Sequence, residues 1–391
     1  LHFGLDFYAK ACYKVTMKRY IQEEVVKDLG KKMVFITGPR QVGKTYLAKS
    51  LQSNFKSPVY LNYDDIDDAL IIQSRTWPQD AGLIIFDEIH KMKEWKKFLK
   101  GTFDTRPDNQ TILVTGSARL ETFRQTGESL PGRYFHYRLN PLSIKELAGT
   151  ISPSLALSKL NTLGGFPEPF LSDSEDQAKR WRRQYYTNLI REDILDFSKI
   201  NEIRSIGLLV ELLRKRTGSP LSLASLARDL QIAPNTVGKY ISILESLYII
   251  FLVRPFHKNI ARAILKEPKV YFYDSGYIDG DEGKRLENTI AICLLKHIQY
   301  LQDAQGKDTR LHYIKTKGGK EIDFALSQEG TLQQCIEVKL SDAALSNQLK
   351  YFQSKLPDIP MVQLVHNLHK EKEVNGISIV SAGNWLAKLS A

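Results

Sequence analysis

Met33-Val34-Phe35-Ile36-Thr37-Gly38-Pro39-Arg40-Gln41-Val42-Gly43-Lys44-Thr45 is the stretch whose reading decides the fold. Its first five residues are apolar or β-branched, as a buried strand requires, and Tyr46-Leu47-Ala48-Lys49-Ser50-Leu51 behind it reads as a helix. Between them every position of GxxxxGK[ST] is filled. A strand, a glycine-rich loop and a helix N-terminus in that order form a cradle of backbone N–H groups for phosphate. Gly38 and Gly43 permit the tight turns and the close approach of backbone to ligand. Lys44 is placed to reach the β and γ oxygens, and the Thr45 hydroxyl to ligate Mg²⁺. The expected ligands are ATP and Mg²⁺, with nucleotide contacts from Gly38, Pro39, Arg40, Gln41, Val42, Gly43, Lys44 and Thr45.

Working outward, Leu83-Ile84-Ile85-Phe86-Asp87-Glu88 is an apolar strand that ends in two carboxylates, at the edge where ligands bind in parallel sheets. Asp87 is expected to hold the Mg²⁺ hydration shell with Thr45, and Glu88 to polarise the attacking water as general base. Thr111-Ile112-Leu113-Val114-Thr115 is a further strand running into Gly116-Ser117. Ser117 or Thr115 either hydrogen-bonds the γ-phosphate or its water, or caps the next helix. With Val59–Asp65 as another strand, residues 30–145 read as an αβα sandwich. Phosphoryl transfer also calls for a guanidinium. Arg133 is the first candidate, ahead of Arg119 and Arg124, against a structural ion pair as the other reading. An Arg133 acting between subunits would require a ring or dimer, so a homo-oligomer enters the expectation.

The segments GPRQVGKT, LIIFDEIHKMKEW, ILVTGSARL, LPGRYFHYRLNPLSIKEL and GGFPEPFL together resemble the prokaryotic AAA+ family ATPases that carry a C-terminal domain of unknown function. The resemblance runs from about Lys18 onward. It implies an AAA-type core rather than a kinase or GTPase, and it puts Arg133 at the family's Gly-Arg position. It supplies no substrate.

A chain of 391 residues suggests two or three domains, and a net charge of +11 favours polyanionic partners, nucleic acid ahead of an anionic membrane surface. Cys12, Cys293 and Cys335 lack metal-ligand or disulfide spacing, which fits a reducing cytoplasm. No apolar run approaches the roughly 18 residues needed to span a bilayer. Residues 1–17 read as a leader outside the fold, and 18–150 as the ATPase domain. Residues 151–220 read as helical, broken by a rigid turn at Gly164-Gly165-Phe166-Pro167-Glu168-Pro169. Arg180–Tyr186 mixes basic and aromatic residues as nucleic-acid surfaces do, against the preferred reading of a solvated helix that packs its aromatics inward.

Residues 221–275 carry helix-turn-helix spacing followed by two strand-like runs around a cationic segment, which reads as a winged helix. Asn235, Thr236 and Lys239 would enter a major groove, while the wing residues Arg254 and Lys258, with His257, Arg262, Lys266 and Lys269, would meet phosphates. The alternative is a winged helix used for packing. In 280–391, strand alternation puts Glu337 and Lys339 on one face, with Asp323 on a neighbouring strand and Glu287 on a helix. This order resembles the PD-(D/E)xK nuclease fold, a restriction-endonuclease-like α/β domain, although Ile322 stands where the motif has proline. The resemblance implies Mg²⁺ on the carboxylates, with Lys339 orienting water; a fold kept as a binding module is the other reading. Three functions stay open: a DNA-associated AAA-type ATPase, a nucleotide-regulated DNA nuclease, and a nucleotide-gated protein-interaction module.

Overall fold

The computed structural model describes residues 17–116, 130–195, 200–257, 266–341 and 344–391. Five strands form the first sheet: β1 Met33–Thr37, β2 Val59–Asn62, β3 Leu83–Asp87, β4 Thr111–Thr115 and β5 Tyr134–Arg138. All pair in parallel, in the order β2-β3-β4-β1-β5. Every residue of β1 and β3 is buried, because helices cover both faces. Alternation divides their side chains between two cores. Met33, Phe35, Ile84 and Phe86 pack with Trp95, Phe98 and Leu99 of the helix Trp95–Thr105. Val34, Ile36, Leu83 and Ile85 pack with Leu47 and Leu51 of the helix Lys44–Leu51 and with Val25 of Gln22–Leu29.

The strand order positions the site. β4 lies between β1 and β3, so the registers Ile36↔Thr115 and Asp87↔Thr115 bring three strand ends to one edge. The same parallel pairing places Arg133, which precedes β5, at the opposite edge, where its carbonyl accepts from Met33 N at 3.0 Å.

Ser152 caps the helix Pro153–Leu163, with Pro153 in the first turn where a missing N–H costs nothing. Gly164 ends that helix at φ +77°, and a Cβ there would stand 2.0 Å from Asp274 Oδ1. The glycine thus leaves room for a buried ion pair, Arg182 Nε to Asp274 Oδ2 at 2.8 Å. Trp181, Tyr185 and Tyr186 of the helix Glu175–Leu195 point inward, as alternation of bases and aromatics predicts, but Arg182 is buried with them.

The helix-turn-helix consists of Leu223–Leu230 and Pro234–Ser246. The hairpin behind it, β6 Ile250–Pro255 and β7 Lys269–Phe272, is not the free wing expected from sequence. It joins β8 Thr309–Lys315, β9 Glu321–Gln328, β10 Thr331–Ser341, β11 Met361–Asn367, β12 Lys372–Val374 and β13 Ile377–Ser381 in one sheet. The order is β12-β13-β11-β10-β9-β8-β6-β7, with Arg254 and Pro255 of β6 pairing in parallel with His312 and Tyr313 of β8. Strands on both sides of the interval between 275 and 280 therefore belong to one sheet. A single core runs from Leu142 through the middle helices to Leu389.

Candidate nucleotide site

At Gly38 φ is +150° and a Cβ would stand 2.2 Å from the Leu139 carbonyl oxygen, so the loop runs against the chain leaving β5 and admits only glycine there. Gln41 and Gly43 take left-handed conformations, φ +58° and +97°, and Gly43 leads directly into the helix Lys44–Leu51. Lys44 is 7% exposed, and its Nζ donates to Gly38 O at 3.0 Å and Pro39 O at 2.6 Å. Burial pulls its pKa down to about 8, with Glu88 and Asp87 holding it up.

Asp87 ends β3 under three hydroxyls. Thr45 Oγ1 and Tyr60 OH donate to Oδ2 at 2.7 and 2.8 Å, and Thr115 Oγ1 donates to Oδ1 at 2.6 Å. Glu88 adopts a left-handed conformation, φ +56°, that turns its carboxylate off the strand line. Its Oε2 lies 3.6 Å from His90 Nε2 and 3.9 Å from Lys91 Nζ. Desolvation pushes its pKa up, opposed by the Lys44 and Lys91 charges. Lys44, Thr45 and Glu88 line a pocket of about 800 Å³. Its other wall comes from outside the first sheet: Met17, Leu142, Pro167, Glu168 and Leu171.

Several of these residues carry no sequence signal. Met17, set aside with the leader, belongs to the pocket wall, and the Gly164–Pro169 turn delivers Pro167 and Glu168 to it. Trp181 Nε1 donates to Gln41 Oε1 at 2.8 Å and Tyr185 OH to Arg40 O at 3.4 Å, so the middle helices touch the loop itself. Tyr60 and Arg19 stand in no motif; only their distance to the loop reveals them.

Arg133 takes the ion-pair alternative within the chain. It lies a full strand from the loop, roughly 16 Å for five residues of β1, and its Nε and Nη2 donate to Asp104 at 2.8 and 3.1 Å. Within one chain it stands at the edge opposite the glycine-rich loop. Ser117, Arg119, Arg124, Lys258 and Arg262 lie outside the described residues.

Asn235 and Lys239 are exposed one turn apart on the second helix of the helix-turn-helix, with Thr236 half-buried between them. Arg254 is half-buried inside the second sheet rather than on a projecting tip, because β8 pairs beside it. Lys269 is not a phosphate-facing residue either: it is 2% exposed, with Nζ 2.5 Å from Glu321 and 3.5 Å from Glu287.

The C-terminal cluster does form. Lys339 Nζ donates to Glu337 Oε1 at 2.8 Å, Asp323 Oδ2 accepts from Val338 N at 2.9 Å, and Tyr271 OH donates to Glu287 Oε1 at 2.6 Å. Burial, then the Asp323 charge, pushes Glu287 and Glu337 each up to about 7. The Lys269 ammonium lies between Glu287 and Glu321 beside this cluster. Among the described residues no group of three His, Cys, Asp or Glu could hold a metal ion.

The class that fold and site define is an AAA-type P-loop ATPase domain. Residues 30–148 match the AAA domain family, residues 155–279 the domain of unknown function DUF8612, and residues 282–384 the domain of unknown function DUF4143. An uncharacterized protein of Methanocaldococcus jannaschii is 24% identical over 372 residues, covering 86% of this chain and 81% of its own length. One of Haemophilus influenzae is 21% identical over 414 residues, covering 95% and 98%. One of Mycobacterium tuberculosis is 26% identical over 251 residues, covering 63% of this chain and 55% of its own length. Among solved structures, a RuvB variant of Thermotoga maritima superposes with a TM-score of 0.29 at 18% identity, covering 59% of this chain and 86% of that one. A STAND signal-transduction ATPase of Pyrococcus horikoshii with a tetratricopeptide repeat sensor gives 0.26 at 14% identity, covering 75% and 48%. Among the described residues no helix is long and apolar enough to cross a membrane.

Proposed function

We propose that the protein binds and hydrolyses ATP with Mg²⁺ and does so in association with DNA. The convergence of Lys44, Thr45, Asp87 and Glu88 on one sheet edge carries the first half of this reading. Lys44 and the amides of the left-handed loop supply positive charge for the phosphates. Thr45 Oγ1 and Asp87 Oδ2, a hydroxyl and a carboxylate 2.7 Å apart, fit the hydrated Mg²⁺ that accompanies ATP. Bound there, Mg²⁺ would neutralise charge on the β and γ oxygens. Glu88, made more basic by desolvation, is the group to take a proton from water. Met17, Leu142, Pro167 and Leu171 form the apolar end of the pocket, suited to a base.

Mg²⁺-dependent phosphate release tests this reading. Lys44→Ala and Glu88→Gln should each reduce turnover at least a hundredfold, Lys44→Ala by losing nucleotide and Glu88→Gln while still binding it. Unchanged turnover in either purified variant would remove the assignment.

The DNA half rests on the exposed Asn235–Lys239 face and on the net charge of +11. Binding should weaken steeply with salt and fall further on Lys239→Glu. Cleavage is not part of the proposal.

A further inference from the structure

Arg19 stands just ahead of the helix Gln22–Leu29 and is 3% exposed. Each of its three nitrogens has a partner. Nη1 donates to Val42 O at 2.7 Å, Nη2 to Asn140 O at 2.5 Å and Nε to Glu146 Oε1 at 2.8 Å. Val42 is in the phosphate loop, and its peptide bond to Gly43 is planar and trans, which sends the Val42 C=O and the Gly43 N–H to opposite sides. Fixing the carbonyl on Arg19 therefore fixes the orientation of the Gly43 amide as well. A Cβ at residue 43 would stand 3.2 Å from Arg19 Nη1, so the guanidinium packs directly on the glycine.

The guanidinium is itself held. Glu146, side chain 2% exposed, gives Oε1 to Arg19 and to Tyr20 N at 3.2 Å. Its Oε2 accepts from Ser143 N at 3.1 Å and from the Lys296 ammonium. Lys296 is 0% exposed and also donates to Pro141 O at 2.9 Å. It belongs to the long helix Glu282–Gln305 of the C-terminal region, which docks on the chain leaving β5. A continuous buried line of charge, Arg19–Glu146–Lys296, thus connects the phosphate loop to that helix.

We propose that Arg19 is a positioning residue for the nucleotide phosphates, orienting the Val42–Gly43 peptide, and that Lys296 lends it support from the C-terminal region. This deepens the ATP reading and rests on it. Arg19 also lines the nucleotide pocket, but its guanidinium is fixed on the loop. Losing it frees the Val42–Gly43 peptide to turn its carbonyl toward the ligand and leaves Met17, Leu142, Pro167 and Leu171 in place, so the larger effect falls on phosphate. Arg19→Lys keeps a charge for Glu146, yet one ammonium cannot replace three fixed donors on three partners.

The test is titration of the full chain with fluorescent mant-ADP, with unlabelled adenosine as competitor. Arg19→Met should weaken mant-ADP binding about tenfold or more while the adenosine competition constant stays within about twofold. Arg19→Lys should fall between it and the natural protein, and Lys296→Met should weaken mant-ADP about threefold with adenosine again unchanged. Equal mant-ADP affinity in Arg19→Met, or loss of ADP and adenosine in parallel, overturns the proposal. Where Arg19→Met fails a thermal-unfolding check, Arg19→Lys is read by the same two outcomes. Failure of the ATP reading looks different: the natural protein would show no saturable mant-ADP binding, or Lys44→Ala would bind as tightly as it does.

Discussion

At the scale of single residues, Lys44 carries the clearest pH consequence. Burial lowers its pKa to about 8 in the free protein, and phosphate beside it would raise that value, because an opposite charge favours the ammonium. The complex then holds the proton more tightly than the free protein. Affinity is full below about pH 8 and falls as pH rises above it, with proton uptake on binding in that range. Calorimetric titration with ADP at pH 7 and pH 9, in buffers of different ionisation enthalpy, should show both effects. Lys44 and Thr45 were legible in sequence because the loop motif is contiguous and its spacing encodes its geometry. Tyr60 was not, since its contact with Asp87 depends on β2 pairing beside β3.

At the scale of elements, the helix Glu282–Gln305 couples the two sheets. Its Asp303 pairs with Arg138 of β5 at 2.6 Å, Gln299 accepts from Asn140 Nδ2 at 2.8 Å and Lys296 meets Glu146. Burial alone would raise the Glu146 carboxyl, but Arg19 and Lys296 override it and hold the pKa at about 2. The folded value thus lies below the ordinary one near 4.5, so its stabilisation is present above about pH 4.5 and lost as pH falls toward 2. Glu146→Gln leaves two buried cations without their counter-charge. We expect a loss of about 3–5 kcal/mol at neutral pH, read by denaturant unfolding, and a flatter acid limb than in the natural protein. The helix itself is readable from its apolar periodicity, but its polar stripe reads as a solvated face until the chain leaving β5 is placed against it.

At the scale of the whole molecule, parallel pairing of β1 with β5 sets the fate of Arg133. Its guanidinium sits on Asp104 at the edge of the sheet remote from the phosphates. Arg133→Ala should therefore change ATP turnover in a monomeric fraction by less than about twofold. If chains assemble so that one presents Arg133 to its neighbour, the loss will be confined to an oligomeric fraction. Mixing Arg133→Ala with Lys44→Ala would then restore part of the activity. Size-exclusion chromatography with turnover measured across the peaks checks both. The same scale explains the hairpin β6–β7: its pattern of two short strands around a basic segment suits a free wing, but β8 offers β6 an unpaired edge, and the backbone bonds formed there draw it into the larger sheet.

What the sequence determined alone is what neighbouring residues can encode. That includes the strand, loop and helix of the phosphate cradle, the apolar strand ending in Asp87-Glu88, and the pair of helices around Pro234. It also includes the carboxylate and amine that alternate onto one face of β10. Each follows from local periodicity or contiguous spacing. Only the tertiary structure decided which strand ends meet, that three hydroxyls from separate elements close on Asp87, and that Arg19 bonds the loop at Val42. It also decided that Arg133 faces the wrong edge and that Lys269 fills the carboxylate cluster. These depend on strand order, register and burial, and a pairing between residues tens of positions apart on different elements leaves no period in the chain that either residue shows on its own.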